Sequence, residues 1–412
     1  MMSFGCRYRV LALVAAFCIP CAVEGSVAAP APEAGAVRIV YLGKRYPEPL
    51  PLSLLEKPVT DAGLQGARMG IADNNATGRF LKLAFGLDEH LVAEDGNVVA
   101  EAKKALAGGD ALIVADLQPE DLLAVADLPE AQGSALLNVR SSDDRLREES
   151  CRRNVFHVIP NWAMRADALA QYLVWKKWPR WFVIKGTAPE DADYVAAVKR
   201  AATRFGGKVV EERSYKFDAG SRRVETGHQQ IQTQMPALTQ GAAAHDVIWV
   251  ADTGESFGEY LSYRTYDSDP VVGTQGLTPV AWHHAFEQWG AMTLQSNFDK
   301  LAGRAMKERD YTAWLAVRAF GEAAMRAKAA DAATIRDYML SDRFKVAGFK
   351  GQQMAFRAWD HQLRQPILLA APRALVSVSP QEGFLHAKFP TDTLGFDEPE
   401  SKCRFPETAK AG

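Results

Sequence analysis

The sequence predicts an α/β protein built on parallel sheets wrapped by helices, with enough chain for two such domains. Three observations carry this. Short apolar runs alternate with helical stretches from about residue 37 onward. One unit, Trp181 to Glu212, is complete within itself: an apolar strand Trp181–Ile184, a loop with Pro189, Glu190 and Asp191 suited to a helix start, a helical stripe of Tyr194, Val195, Val198, Ala201, Ala202 and Phe205, a Gly206-Gly207 stop, and a second strand from Lys208. Parallel pairing through such a crossover is nearly forced, and so is its handedness. Finally, 412 residues that are 48% apolar and 24% charged can bury two cores and are not disordered or membrane-like in composition.

Residues 1–28 read as a secretory signal: Arg7 and Arg9 precede an apolar run, Val10 to Ile19, and Ser26-Val27-Ala28 offers a small-x-small cleavage site. The run is too short to span a bilayer, and no later segment does. Cys18 and Cys21 follow Phe17 and Pro20, not the small residue that lipoprotein processing wants. Cleavage after Ala28 would leave 46 basic and 49 acidic residues, a net charge of −3 that gives no reason to expect nucleic acid. It would also leave two cysteines, Cys151 and Cys403, expected to form a disulfide in an oxidising compartment.

In order, Val37–Leu42 reads as a strand and Lys44–Pro58 as a Pro-rich loop. Leu64–Asp73 is a helix closed by Asn74, Asn75 and Gly78. Strands follow near Phe85–Val92, Ala111–Val114, Ala135–Val139 and Val155–Ile159, with helices at Val98–Leu106 and Pro119–Leu128 between them. Asn161 opens a helix to Trp175. Beyond the central unit come a helix near Gln229–Thr239, a strand Val247–Ala251, a short helix after Gly254 and a strand at Val271-Val272. After Trp282 the pattern changes to helices at Tyr311–Ala330 and Thr334–Leu340. Met354–Trp359 and Pro366–Ala371 then read as an antiparallel hairpin.

This order resembles the type 1 periplasmic binding proteins, the branched-chain amino-acid-binding class. The segments Asp73-Asn-Asn-Ala-Thr-Gly-Arg-Phe80, Leu137-Asn-Val-Arg140 with Asp144 and Leu146-Arg147, Cys151-Arg-Arg-Asn-Val-Phe-His157, and Arg357-Ala-Trp-Asp-His-Gln-Leu-Arg-Gln-Pro-Ile367 are similar to one branch: the ABC-transporter substrate-binding proteins associated with quinoprotein alcohol dehydrogenase systems. The resemblance implies two Rossmann-like lobes joined by three crossovers. It divides the chain into 37–158 plus 283–340, 159–278 plus 346–375, and a tail, 376–412. It also implies a periplasmic monomer whose ligand is pyrroloquinoline quinone (PQQ), passed to a transporter permease or a dehydrogenase. An amino acid or an aromatic acid is the alternative. Ala115-Asp-Leu-Gln-Pro119 stands where the amino-acid binders usually carry a Ser/Thr-rich loop.

PQQ is a flat tricarboxylate, so it asks for aromatic faces and cations at the carboxyl ends of parallel strands. Lys44, Arg45, Arg140 and Lys185 fall there, with Arg165 near a helix start. Trp162 and Trp282 sit at the crossovers and Trp249 on a strand. Asp116, Ser141, Asp252, Thr253 and Gln275 complete the candidate ligand set. Trp175, Trp178, Trp181 and Trp314 read as core. Lys185, desolvated in a closed cleft, is a candidate to add to a quinone carbonyl.

Other chemistries are thinner. Gly254-Glu-Ser-Phe-Gly258 follows a strand and matches a nucleophile elbow, which leaves a hydrolase with Ser256 open. It lacks an upstream oxyanion loop, and His283, His284, His361 and His386 are the available bases. His283-His284 would be splayed apart by a helix or strand, so no shared metal is expected. There is no phosphate-binding or dinucleotide-binding glycine motif.

Overall fold

The computed structural model describes residues 35–48, 57–216 and 225–405. The signal segment, and with it the cleavage site, lies outside the described residues.

The first lobe begins β1 (Gly35–Lys44), α1 (Leu64–Gly78), β2 (Leu83–Val92), α2 (Val98–Ala105), β3 (Leu112–Asp116), α3 (Pro119–Ala126), β4 (Ala135–Asn138) and β5 (Val155–His157). Its sheet is parallel, in the order β2-β1-β3-β4-β5. The second lobe follows as α4 (Trp162–Trp175), β6 (Arg180–Lys185), α5 (Pro189–Phe205), β7 (Lys208–Ser214), α6 (Glu225–Thr239), β8 (Val247–Ala251), α7 (Gly258–Leu261) and β9 (Val271–Gly273). Its parallel sheet runs β7-β6-β8-β9.

The chain then returns through β10 (Thr278–Val280) to α8 (Ala291–Ala302), α9 (Glu308–Ala327) and α10 (Ala332–Met339), which cover the first lobe, and to β11 (Val346–Ala347) and β12 (Gln353–Met354). It ends with β13 (Ile367–Ala371), β14 (Ala374–Ser379) and a tail.

Period-two burial explains why the strands read as unbroken apolar runs. In β1, Val37, Ile39 and Tyr41 face α1 and the returning helices, whereas Val40 and Leu42 face α2 and α3. In β6, Trp181 and Val183 pack under α4 and α5, while Phe182 and Ile184 pack under α6 and α7. Each sheet thus has helices on both faces, and each reverses its strand order once, between β1 and β3 and between β6 and β8. Ligands bind at such switch points, in the crevice beyond the carboxyl ends.

Several expectations need correction. Helix α1 runs past Asp73 to Gly78 because Asn74 and Asn75 do not close it: Asn74 Nδ2 donates to Val317 O at 2.8 Å, and Asn75 bridges the backbone of Phe85. The hairpin pairs β13 with β14, with β10 on the other side of β13; β12 pairs with β11. Trp181 and Trp314 are core, but Trp175 and Trp178 are 56% and 36% exposed at the outer end of α4. Phe344, Val346, Met354, Phe356 and Leu363 pack into the first lobe's core.

Candidate functional site

At the carboxyl edge of the first lobe, Asp116 is buried where β3 ends. It accepts hydrogen bonds from Tyr41 Oη and from Arg140 Nε, each at 2.6 Å. Burial pushes its carboxyl up, opposed by Arg309 and by the Tyr41 hydrogen bond. Arg309 reaches Glu48 at 2.7 Å, and Lys44 reaches Asp121 at 3.1 Å. Tyr46 donates to Asp121 and lies beneath the Arg140 guanidinium, 5.0 Å away. Two of the cations found from the sequence, Lys44 and Arg140, are therefore already matched by carboxylates. Arg45 is exposed, and its backbone N–H bonds to Val92 O. Ser141 is buried in the loop after β4, where its carbonyl accepts Asn138 Nδ2 and Arg147 Nη1.

The second lobe's edge is also self-satisfied. Lys185 Nζ lies 2.7 Å from Glu212, whose carboxyl is held below its usual range by hydrogen bonds from Lys185 and Lys199. Asp252 accepts the backbone N–H groups of Ser256, Phe257 and Gly258 and so organises the turn into α7. Thr253 donates through Oγ1 and its backbone N–H to Asp191. Gln275 donates to Asp252 O and accepts from Thr274.

Between the lobes the arrangement differs. Trp162, the first residue of α4, is half-buried, 5.0 Å from the Tyr194 ring and 5.7 Å from the Arg165 guanidinium. Arg165 donates to Pro279 O at 2.8 Å and to Glu308 at 2.9 Å, so it spans from the second lobe to the start of α9 in the first. Trp282 is buried and stacked on Tyr311, 4.5 Å away and 7° from parallel. Lys350 lies over the other flank of this region, 5.0 Å from the Tyr311 ring, donating to Gln365 Oε1 and Pro366 O.

Buried donors also lack acceptors here. Among the described residues with a buried side-chain donor that has no acceptor, Arg165 Nε, Tyr194 Oη and Trp282 Nε1 lie in this region, Tyr194 Oη having only the indole N–H of Trp249 beside it, while Arg309 Nε lies at the first lobe's edge. Buried polar groups are almost always satisfied, so a set of orphaned N–H and O–H groups calls for an acceptor. Tyr194, Glu308, Arg309 and Lys350 were not singled out from the sequence. Tyr194 reads there only as one residue of an apolar helical stripe, and no motif marks the others.

Two cavities lie elsewhere. One of about 250 Å³ opens at the amino edge of the first lobe beside Arg38 and Asp110. Another of about 420 Å³ lies between α5 and the tail, at Arg204 and Phe396.

A family profile described as periplasmic binding protein matches residues 55–373. The chain belongs to the periplasmic binding protein family. No curated protein sequence matches it. Among solved structures, this periplasmic binding protein is similar to a branched-chain amino acid ABC transporter ligand-binding protein from Burkholderia xenovorans, at 13% identity and a TM-score of 0.66 over 90% of this chain and 99% of that one. A Brucella ovis protein binding leucine, isoleucine, valine, threonine and alanine, in a closed conformation, gives 16% identity and a TM-score of 0.65 over 90% and 99%. A solute-binding protein of R. palustris in complex with benzoate gives 12% and 0.61 over 90% and 100%. The fold is thus the type 1 periplasmic binding protein fold, and family membership implies a periplasmic address.

A periplasmic binding protein is not an enzyme, and the hydrolase reading ends here. Ser256 Oγ donates to Gly254 O, at 3.4 Å, and among the described residues no histidine is bonded to it. His361 is engaged with Val155 O and His386 with Asp397. His283 and His284 lie in a loop, so nothing splays them, and their rings meet at 4.2 Å. Among the described residues no cluster of three or more metal-ligating side chains occurs, and no helix is long and apolar enough to cross a membrane.

Proposed function

We propose that this periplasmic binding protein captures a small carboxylate, an amino acid or an aromatic acid, between its lobes and delivers it to an ABC importer. The observation that carries this reading is the set of buried donors without acceptors around the hinge, Arg165 Nε, Tyr194 Oη and Trp282 Nε1 foremost, flanked by the indole of Trp162. One carboxylate supplies the missing acceptors, and a flat or branched apolar body suits the indoles. The ligands of two structural neighbours, leucine, isoleucine, valine, threonine and alanine for one and benzoate for the other, are of this class.

PQQ, the ligand implied by the sequence resemblance, is the second reading. The Trp162 and Trp282 indoles favour a planar guest. Its three carboxylates would need cations that Asp116, Glu48, Glu212 and Glu308 already neutralise. Delivery to a quinoprotein dehydrogenase stands or falls with that ligand.

Calorimetric titration of the ligand-free protein with benzoate, leucine and the quinone separates the readings. Saturable heat with a small carboxylate, weakened by Tyr194→Phe, supports capture of that class. Saturation by the quinone alone overturns it.

A further inference from the structure

Of the segments carrying the sequence resemblance, three build the hinge and hold the tail. Arg147 is fully buried and donates to Gln362 Oε1 at 2.9 Å, to the Ser141 and Asp143 carbonyls and to Ile159 O. Arg357 and Arg364, which flank Gln362, both grip Asp392 of the tail, at 3.0 and 2.9 Å.

The tail itself touches both lobes. On the second lobe, the Gly395 N–H donates to Asp167 of α4 at 2.8 Å, and the Gly395 carbonyl accepts from Arg200 and Arg204 of α5 at 2.7 Å each. Gly395 has φ of +81°, and a Cβ there would come within 2.8 Å of Met164, so the tail lies tight against α4. Eight residues later the tail is fixed to the first lobe. The Lys402 N–H donates to Glu148 at 2.9 Å, and Cys403 is disulfide-bonded to Cys151, across 252 residues of sequence.

From this we infer that residues 391–403 are a strap joining the two lobes in addition to the three crossovers, and that the strap narrows the range of lobe angles the ligand-free protein samples. Hinged closure in this fold needs the crossovers to flex while the lobes stay rigid. A strap hydrogen-bonded to α4 and α5 at one end and covalently fixed beside Glu148 at the other must deform whenever the lobes rotate. Cutting its first-lobe anchor therefore widens the motion. The inference does not depend on which ligand is bound.

The test uses single-molecule energy transfer between dyes on non-canonical amino acids at Lys104 in α2 and Lys208 at the start of β7, both exposed and at the outer ends of the lobes. The Cys151→Ser/Cys403→Ser pair removes the covalent anchor. A chain ended after Glu400 removes both the Lys402–Glu148 hydrogen bond and the disulfide while keeping the grip on α4 and α5 and the Arg357 and Arg364 contacts to Asp392. Without ligand, both are expected to give a broader efficiency distribution than the oxidised wild type. Circular dichroism shows whether each is folded, and the shortened chain decides the matter should the serine pair fail to fold. Superimposable distributions in the folded variants overturn the strap, whatever the outcome of the ligand titrations.

Discussion

Arg165 and Glu308 join the two lobes across the hinge through an ion pair of 2.9 Å, in which Glu308 also accepts the N–H of Ala281 through its other oxygen. Arg165 is nearly buried and Glu308 partly exposed, so removing the arginine strands a carboxylate in a half-desolvated place. Arg165→Met is expected to lower stability in chemical denaturation by roughly 2 kcal/mol. Glu308→Gln keeps an acceptor for Ala281 and should cost less. A change for Arg165→Met within about 0.5 kcal/mol, the range of ordinary surface substitutions, would show that the pair does not hold the hinge.

The ammonium of Lys350 is wholly buried, and its pKa is drawn down to about 7 by burial, with Glu308 opposing and Arg165 reinforcing the shift. The unfolded lysine titrates near 10.4, so between about pH 7 and about pH 10.4 the unfolded chain holds more protons than the native one. Stability attributable to this group therefore rises with pH across that window, by an amount on the order of 4 kcal/mol. Lys350→Met should flatten the rise. Parallel stability–pH profiles for the two proteins would refute it.

His361 stacks on Phe156 at 4.6 Å, and its pKa is pushed down to about 4 by burial, with the Val155 carbonyl opposing and Arg153 adding to the shift. The unfolded histidine takes up its proton near pH 6.5, so this site costs stability progressively as pH falls from there toward 4. Asparagine tolerates the residue's φ of +53°. The gap in melting temperature between wild type and His361→Asn is expected to shrink over that interval, and a constant gap would count against this assignment.

Lys185 is ion-paired with Glu212 at 2.7 Å, so addition to a quinone carbonyl would first have to break that pair. Lys185→Ala is accordingly expected to leave the absorption spectrum of any bound quinone unchanged. A spectral difference between the two proteins would instead mean that ligand binding breaks the Glu212 pair and that a covalent adduct forms.

The parallel sheets were legible because burial on both faces writes strands as apolar runs, and Gly206-Gly207 ends a helix at a left-handed residue that only glycine adopts cheaply. The Cys151–Cys403 disulfide was legible once the signal reading set aside the three N-terminal cysteines and left one pair. The pairing of Arg140 with Asp116 and of Lys44 with Asp121 was not. Each joins residues from different elements, and a cation reads the same in a sequence whether or not a carboxylate awaits it. Trp175, in the last turn of α4, and Trp178, just beyond it, misled for a related reason: an apolar residue in a sequence does not say whether another element covers it. Tyr194 was hidden as one member of an apolar stripe, since an orphaned hydroxyl exists only once the surroundings are in place.

The stacking of Trp282 on Tyr311 at the lobe junction gives the molecule a built-in optical gauge. Trp175 and Trp289 emit from solvent-exposed positions and are open to an aqueous quencher such as iodide, whereas the Trp282 indole is shielded. Under quencher, the residual ultraviolet emission comes from sheltered indoles, among them Trp282 at the lobe junction. A change in that emission on titration would then report on the junction without any attached dye.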